Sequence, residues 1–191
     1  MVDIHDVPTG LRALDALIKE APVELIRTGT VQPGRYLILF GGQVEPVQRS
    51  VRKATWVAGD ALEDVVFLPW AEERIHPAIR EGARRWPCPG DTLGVLQNGT
   101  PPTLIRAVDR ALKGALVDLV ELRVADGLGG KAIATVWGET PDVEAAIELA
   151  EEAFARGRGH DATTSIIRRA DWEVEQVMAA GSHFFVQEWR G

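Results

Sequence analysis

The chain has 191 residues, 46% hydrophobic and 26% charged, with a formal net charge of -7, a composition that folds throughout and leaves no low-complexity tail. The acidic balance excludes a nucleic-acid binder: the densest basic group is Arg80, Arg84 and Arg85, and no basic stripe is ready to neutralise phosphates. No window approaches eighteen apolar residues, the start MVDIHDVPTG lacks the charged-then-apolar pattern of an export signal, and the single cysteine, Cys88, rules out an internal disulfide, so a cytoplasmic protein without a membrane partner is expected.

The first strand is expected only a few residues after Met1. Leu11, Leu14, Leu17, Ile18 and Ala21 then share one face of a predicted helix. VELIR follows as a strand, the loop Gln32-Pro33-Gly34-Arg35 turns the chain, and YLILF returns as the paired strand. Pro46 falls in the first turn of a second helix, where its missing N–H costs nothing, and Val44, Val47, Val51, Ala54 and Ala58 form that helix's apolar side. DVVFL reads as a buried strand, and a short helix from about Ala71 to Arg84 is expected to close the unit. RRWPCPGD then interrupts both periodicities with two prolines and a glycine, placing a boundary there and domains at 1–88 and 89–191.

The second half repeats this plan. DTLGVLQ is a strand, Thr100 caps a helix with Pro101 at its first position, and VDLVELRV and KAIATVW are strands joined through GLGGK, Gly127 to Lys131. Val143, Ala146, Ile147, Ala150 and Phe154 mark a long helix, TTSIIRR a last strand, and Trp172 to Ala180 a final helix. Aligning LRALDALIKEAPVELIRTG with IRAVDRALKGALVDLVELR sets Asp15 on Asp109 and Lys19 on Lys113; further along, Gly42 falls on Gly138 and Val47 on Val143. The chain is a duplication. Each unit runs β-α-β-β-α-β-α, and its first six elements are ferredoxin-like, an α/β architecture of the α+β kind with helices on one face of an antiparallel-rich sheet.

Chemistry-bearing patterns are sparse. His5, His76, His160 and His183 lack a second ligand at helical spacing, and no nucleophile elbow, HExxH or phosphate-binding loop occurs. GLGGK offers glycines and a lysine, but it joins two strands and so lacks the helix N-terminus that completes a phosphate site. The expectation is no catalytic residue, no metal and no cofactor. Lys19 and Lys113 stand at matching helix ends, as cations favoured by the macrodipole or as contacts kept at equivalent edges.

DALIKEAPVEL followed by QPGRYLILFGGQVEPV in the first unit, and VDRALKG, GLGGK, GETPDV and SIIRR in the second, resemble the bacterial microcompartment shell proteins. The likeness is specifically to their tandem-domain trimers of propanediol-utilisation type, and it covers nearly the whole chain. It implies a structural protein, not an enzyme: a homotrimer of two-domain chains forming a pseudo-hexameric tile. Such a tile packs edge to edge with hexameric and pentameric shell proteins, encloses enzymes as further partners, and has a central pore for small metabolites or cofactors. By the same resemblance Gln32, Pro33, Gly34 and Arg35 and Leu128, Gly129, Gly130 and Lys131 line the pore, with Arg35 and Lys131 biasing it toward anions. Lys19, Lys113 and Arg169 become tile-edge contacts.

Two departures qualify the resemblance. Trimers of that type carry a cysteine just before the first Pro-Gly, three of which hold an iron–sulfur cluster; here Gln32 stands there, and a carboxamide is a poor iron ligand, so no cluster is expected. The family's Pro-Arg-Pro-His is replaced by Arg168-Arg169-Ala170-Asp171 in the second domain and by Leu68-Pro69-Trp70-Ala71 in the first, so only Arg169 carries over as an edge residue. The rival reading is a ferredoxin-like trimeric regulator or small-molecule enzyme with sites between subunits, resting on GLGGK and Arg123. The aromatic tail with Phe184, Phe185, Val186 and Trp189 is expected to pack on its own domain.

Overall fold

The computed structural model describes residues 1–82, 89–125 and 127–182. In the first domain β1 (Val2–Ile4), α1 (Val7–Glu20), β2 (Glu24–Val31), β3 (Arg35–Gly41), α2 (Val44–Ala58), β4 (Leu62–Val65) and α3 (Ile75–Glu81) follow one another. The second domain gives β5 (Thr92–Asn98), α4 (Pro101–Gly114), β6 (Asp118–Val124), β7 (Ala132–Gly138), α5 (Thr140–Arg156), β8 (Thr163–Ile167) and α6 (Trp172–Ala180). The strand orders are β2-β3-β1-β4 and β6-β7-β5-β8, with antiparallel pairing throughout.

The two sheets share their pairing pattern except at the end of β1, where the pairing with β4 shifts between Asp3 and Ile4. Register shifts fall between Leu25 and Arg27 on β2 and between Leu119 and Glu121 on β6, an extra residue at the same place in each edge strand. Val2 faces Ile38 on one side and Val65 on the other, as Leu96 faces Ala134 and Thr164. Asp64 of β4 and Thr163 of β8 therefore occupy equivalent rungs, opposite Asp3 and Gln97. Both first helices have fourteen residues and a proline in the first turn.

Each sheet buries one face under its helix pair. Val2, Ile4, Ala13, Leu17, Ile38 and Ala54 form the first core, while Leu96, Leu104, Val108, Leu119, Val136 and Val143 belong to the second. On the opposite face of the second sheet, Leu93, Val120 and Trp137 receive Val174 and Met178 of α6.

Two expectations change. The short helix spans Ile75–Glu81 and does not close the first unit: its Ile75 and Ala78 are buried in the cluster of Leu104, Leu112 and Leu119, in the second domain. The apolar face expected of α1 also divides, because Ala13 and Leu17 are buried while Leu11 and Ile18 stand exposed. The expected boundary RRWPCPGD lies for the most part, Cys88 included, outside the described residues, as does the aromatic tail from His183 onward.

Candidate functional site

The two matching loops meet inside one chain. In the first, Gly34 has φ of 107° and its N–H donates to the Val31 carbonyl at 2.9 Å, closing a tight turn across the cis Gln32-Pro33 bond. In the second, Leu128 N donates to Ala125 O at 3.3 Å and Lys131 N to Leu128 O at 3.1 Å, with positive φ at Gly127, Gly129 and Gly130. Gly130 is needed twice over: its φ is 83°, and a Cβ there would strike the Gln32 carbonyl and the Arg35 guanidinium. Gln32, Pro33, Gly34 and Gly129 remain exposed, Leu128 is half-buried, and Lys131 pairs with Asp161 at 3.6 Å.

Arg35 is where the pore expectation needs correction. Its side chain is buried; it donates to the Gly130 carbonyl and, at 3.4 Å, to the Gly99 carbonyl, and it faces Asp3 at 3.1 Å. The guanidinium ties the first domain to the second, so it does not present charge to an opening. Asp3 is fully buried and its oxygens accept no hydrogen bond; loss of solvation therefore outweighs the attraction of Arg35 and pushes the Asp3 carboxyl up to about 7.

A second set of contacts joins the domains at α4. Asp64 Oδ2 accepts from Thr100 Oγ1 at 2.5 Å, Thr103 N at 2.9 Å and Thr103 Oγ1 at 2.7 Å. The carboxylate of one domain thereby caps the helix of the other, where Thr100 itself makes no side-chain cap. Arg106 donates to Val65 O at 2.9 Å, and Arg74 to Val117 O at 2.9 Å and Leu112 O at 3.2 Å. Arg74 also holds Glu72 at 2.7 Å, keeping that carboxyl below its usual range.

The expected edge residues separate into different settings. Lys113 bonds Asp109 at 2.8 Å and also donates to the Trp70 carbonyl, while Asp109 accepts from Glu72 N at 2.8 Å. Its counterpart Lys19 pairs with Asp15, at 2.8 Å, on an exposed surface. Arg169 is exposed with φ of 49°.

Sequence reading missed Asp3, Asp64, Thr103, Arg74 and Arg106. Two signals were present: an aspartate stands inside the short apolar segment VDI and another heads the buried run DVVFL, and α4 opens on TPPT where α1 opens on DVPT with its own acid. Among the described residues no group of three His, Cys, Asp or Glu could hold a metal. The iron–sulfur cluster suggested by the resemblance does not fit either, because the exposed Gln32 supplies a carboxamide where a thiolate is required.

The BMC domain family matches the chain twice, over residues 1–69 and 92–170. The chain belongs to this family of bacterial microcompartment shell proteins. It is 32% identical over 184 residues to the microcompartment shell protein PduT of Citrobacter freundii, covering 95% of this chain and 97% of that one. A microcompartment protein structure from Desulfitobacterium hafniense superposes with a TM-score of 0.74 at 30% identity, covering 92% of this chain and 96% of the other. A fused, permuted hexameric shell protein of the RMM microcompartment has a TM-score of 0.59 at 21% identity, covering 81% and 79%, a likeness of fold. As a BMC protein the chain is a structural component of a microcompartment shell and not an enzyme, with two α/β domains in tandem. No helix among the described residues is long and apolar enough to cross a membrane.

Proposed function

We propose that three copies of the chain join head to tail into a pseudo-hexameric tile. The observation that carries this is a face buried in one domain and open in the other. Ile105, Leu112 and Leu119 are 4%, 4% and 1% exposed under the 62–81 segment, whereas their counterparts Leu11, Ile18 and Leu25 are 50%, 48% and 38% exposed. The same apolar pattern on α1 and β2 calls for the same kind of cover, and the β8 edge of another copy is the counterpart of the β4 edge that lies against α4. Such an interface is heterologous, and it ends in a ring when its rotation closes.

Within the tile Gln32, Pro33, Gly34, Leu128 and Gly129 line a central opening that is polar but uncharged at its narrowest, with the buried Gly130 packed behind them and Lys131 beside it. Small metabolites or cofactors of an enclosed pathway cross there. Lys19, Lys113 and Arg169 lie at the tile edge, where hexameric and pentameric shell proteins pack alongside, and enclosed enzymes meet the flat face.

Native mass spectrometry should find a trimer, and electron microscopy of the protein alone or with a shell hexamer should find hexagonal sheets; a monomer that forms no sheet would overturn the reading. Because Arg35 is a buried tie, the charge bias is tested at Lys131. Lys131→Glu should lower anion passage relative to cation passage while leaving the fold intact.

A further inference from the structure

The proposed trimer needs a polar contact where one copy meets the next, and the helix starts supply it; the inference rests on that trimer. Both α1 and α4 begin with N–H groups that need acceptors. α1 provides its own: Asp6 Oδ1 accepts from Thr9 N at 2.8 Å. In α4 Thr100 stands in the place of Asp6 and Thr103 in the place of Thr9, and the acceptor comes from Asp64 across the domain junction. Each helix start thus has one carboxylate, drawn from a different source. The rung equivalent to Asp64 in the second domain holds Thr163, which is exposed.

We propose that both junctions of the ring use one charge code, a single carboxylate shared with a hydroxyl at each helix start: Asp64 with Thr100 inside the chain, and Asp6 with Thr163 between copies. The junction inside the chain sets Asp64 against Thr100 and Thr103. At the junction between chains the second domain of one copy meets α1 of the next and brings Thr163, whose hydroxyl donates to the Asp6 carboxylate. Asp64 and the start of α4 satisfy each other within every copy, so the start of α1 and the β8 end are what one copy offers the next.

The test uses the full chain, with native mass spectrometry and sedimentation at micromolar concentration, and circular dichroism to follow the fold. Thr163→Asp adds a second carboxylate at the junction between copies and leaves the junction inside the chain untouched. The trimer should weaken at least tenfold and shift toward monomer, while the spectrum and melting of the separated chain stay unchanged. The double variant Asp6→Thr with Thr163→Asp rebuilds between copies the arrangement used inside the chain, and it should restore the trimer. A Thr163→Asp chain that trimerises like its parent overturns the code, as does a monomeric one that Asp6→Thr fails to restore. A parent chain that is itself monomeric overturns the trimer reading and the code with it, so the two failures are distinguishable.

Discussion

α1 and α4 are the same helix twice, equal in length, with proline in the first turn and an aspartate–lysine pair four residues apart near the end. Yet the outer face of α4 is packed under β4, α3 and the segment between them, and that of α1 is open. The difference teaches that an apolar stripe records where a surface will be covered, while the cover itself can come from another domain or another chain. The aspartate–lysine pair shows this at the scale of two residues: around Lys113 it is tied into the neighbouring domain through Trp70 and Glu72, and around Lys19 it is a solvated pair.

The comparison is broken most severely at Asp64. Asp64→Ala removes the acceptor of three donors buried at the domain junction and should cost about 3–4 kcal/mol, read as a lower denaturant midpoint. A more graded contrast comes from equivalent positions. Ile105→Ala should cost about 3 kcal/mol in the dilute chain, whereas Leu11→Ala should cost under about 0.5 kcal/mol there and show its larger effect only as weaker association of copies.

Asp3 sharpens the contrast through pH. Its carboxyl is raised to about 7 from 3.8, so the folded chain holds a proton that the unfolded chain releases. That stability is fully present below about pH 4 and is lost as pH rises through about 7. Thermal melts across this range should show the parent losing stability relative to Asp3→Asn, whose neutral side chain removes the slope. The smallest effect on folding belongs to Lys19→Ala, under about 0.5 kcal/mol because the pair with Asp15 is exposed. Sheet formation seen by electron microscopy should nevertheless be lost, and sheets that form as before would remove Lys19 from the tile edge.

Much of the fold was legible because its signals are local. Thr100 followed by Pro101 announced α4, and Val143 through Phe154 at helical spacing announced α5. The two loops were legible as a matched pair from the repeat, and their contact at Gly130 agrees with that pairing. Arg35 was misread because burial is not a property of its neighbours in sequence: the Gly99 and Gly130 carbonyls and Asp3 that enclose it come from three other places in the chain. α3 was misplaced for the same reason, since its short apolar face fits either core and only packing decides between them.

What the sequence determined by itself was the duplication, the order of elements in each half and the family, all carried by periodicity and by residues a few positions apart. The tertiary structure decided which faces are covered, which charges are withdrawn, and that Asp64 of one domain caps a helix of the other. Those outcomes depend on groups distant along the chain meeting where water is excluded, and there a single carboxylate is worth far more than its position in the sequence announces.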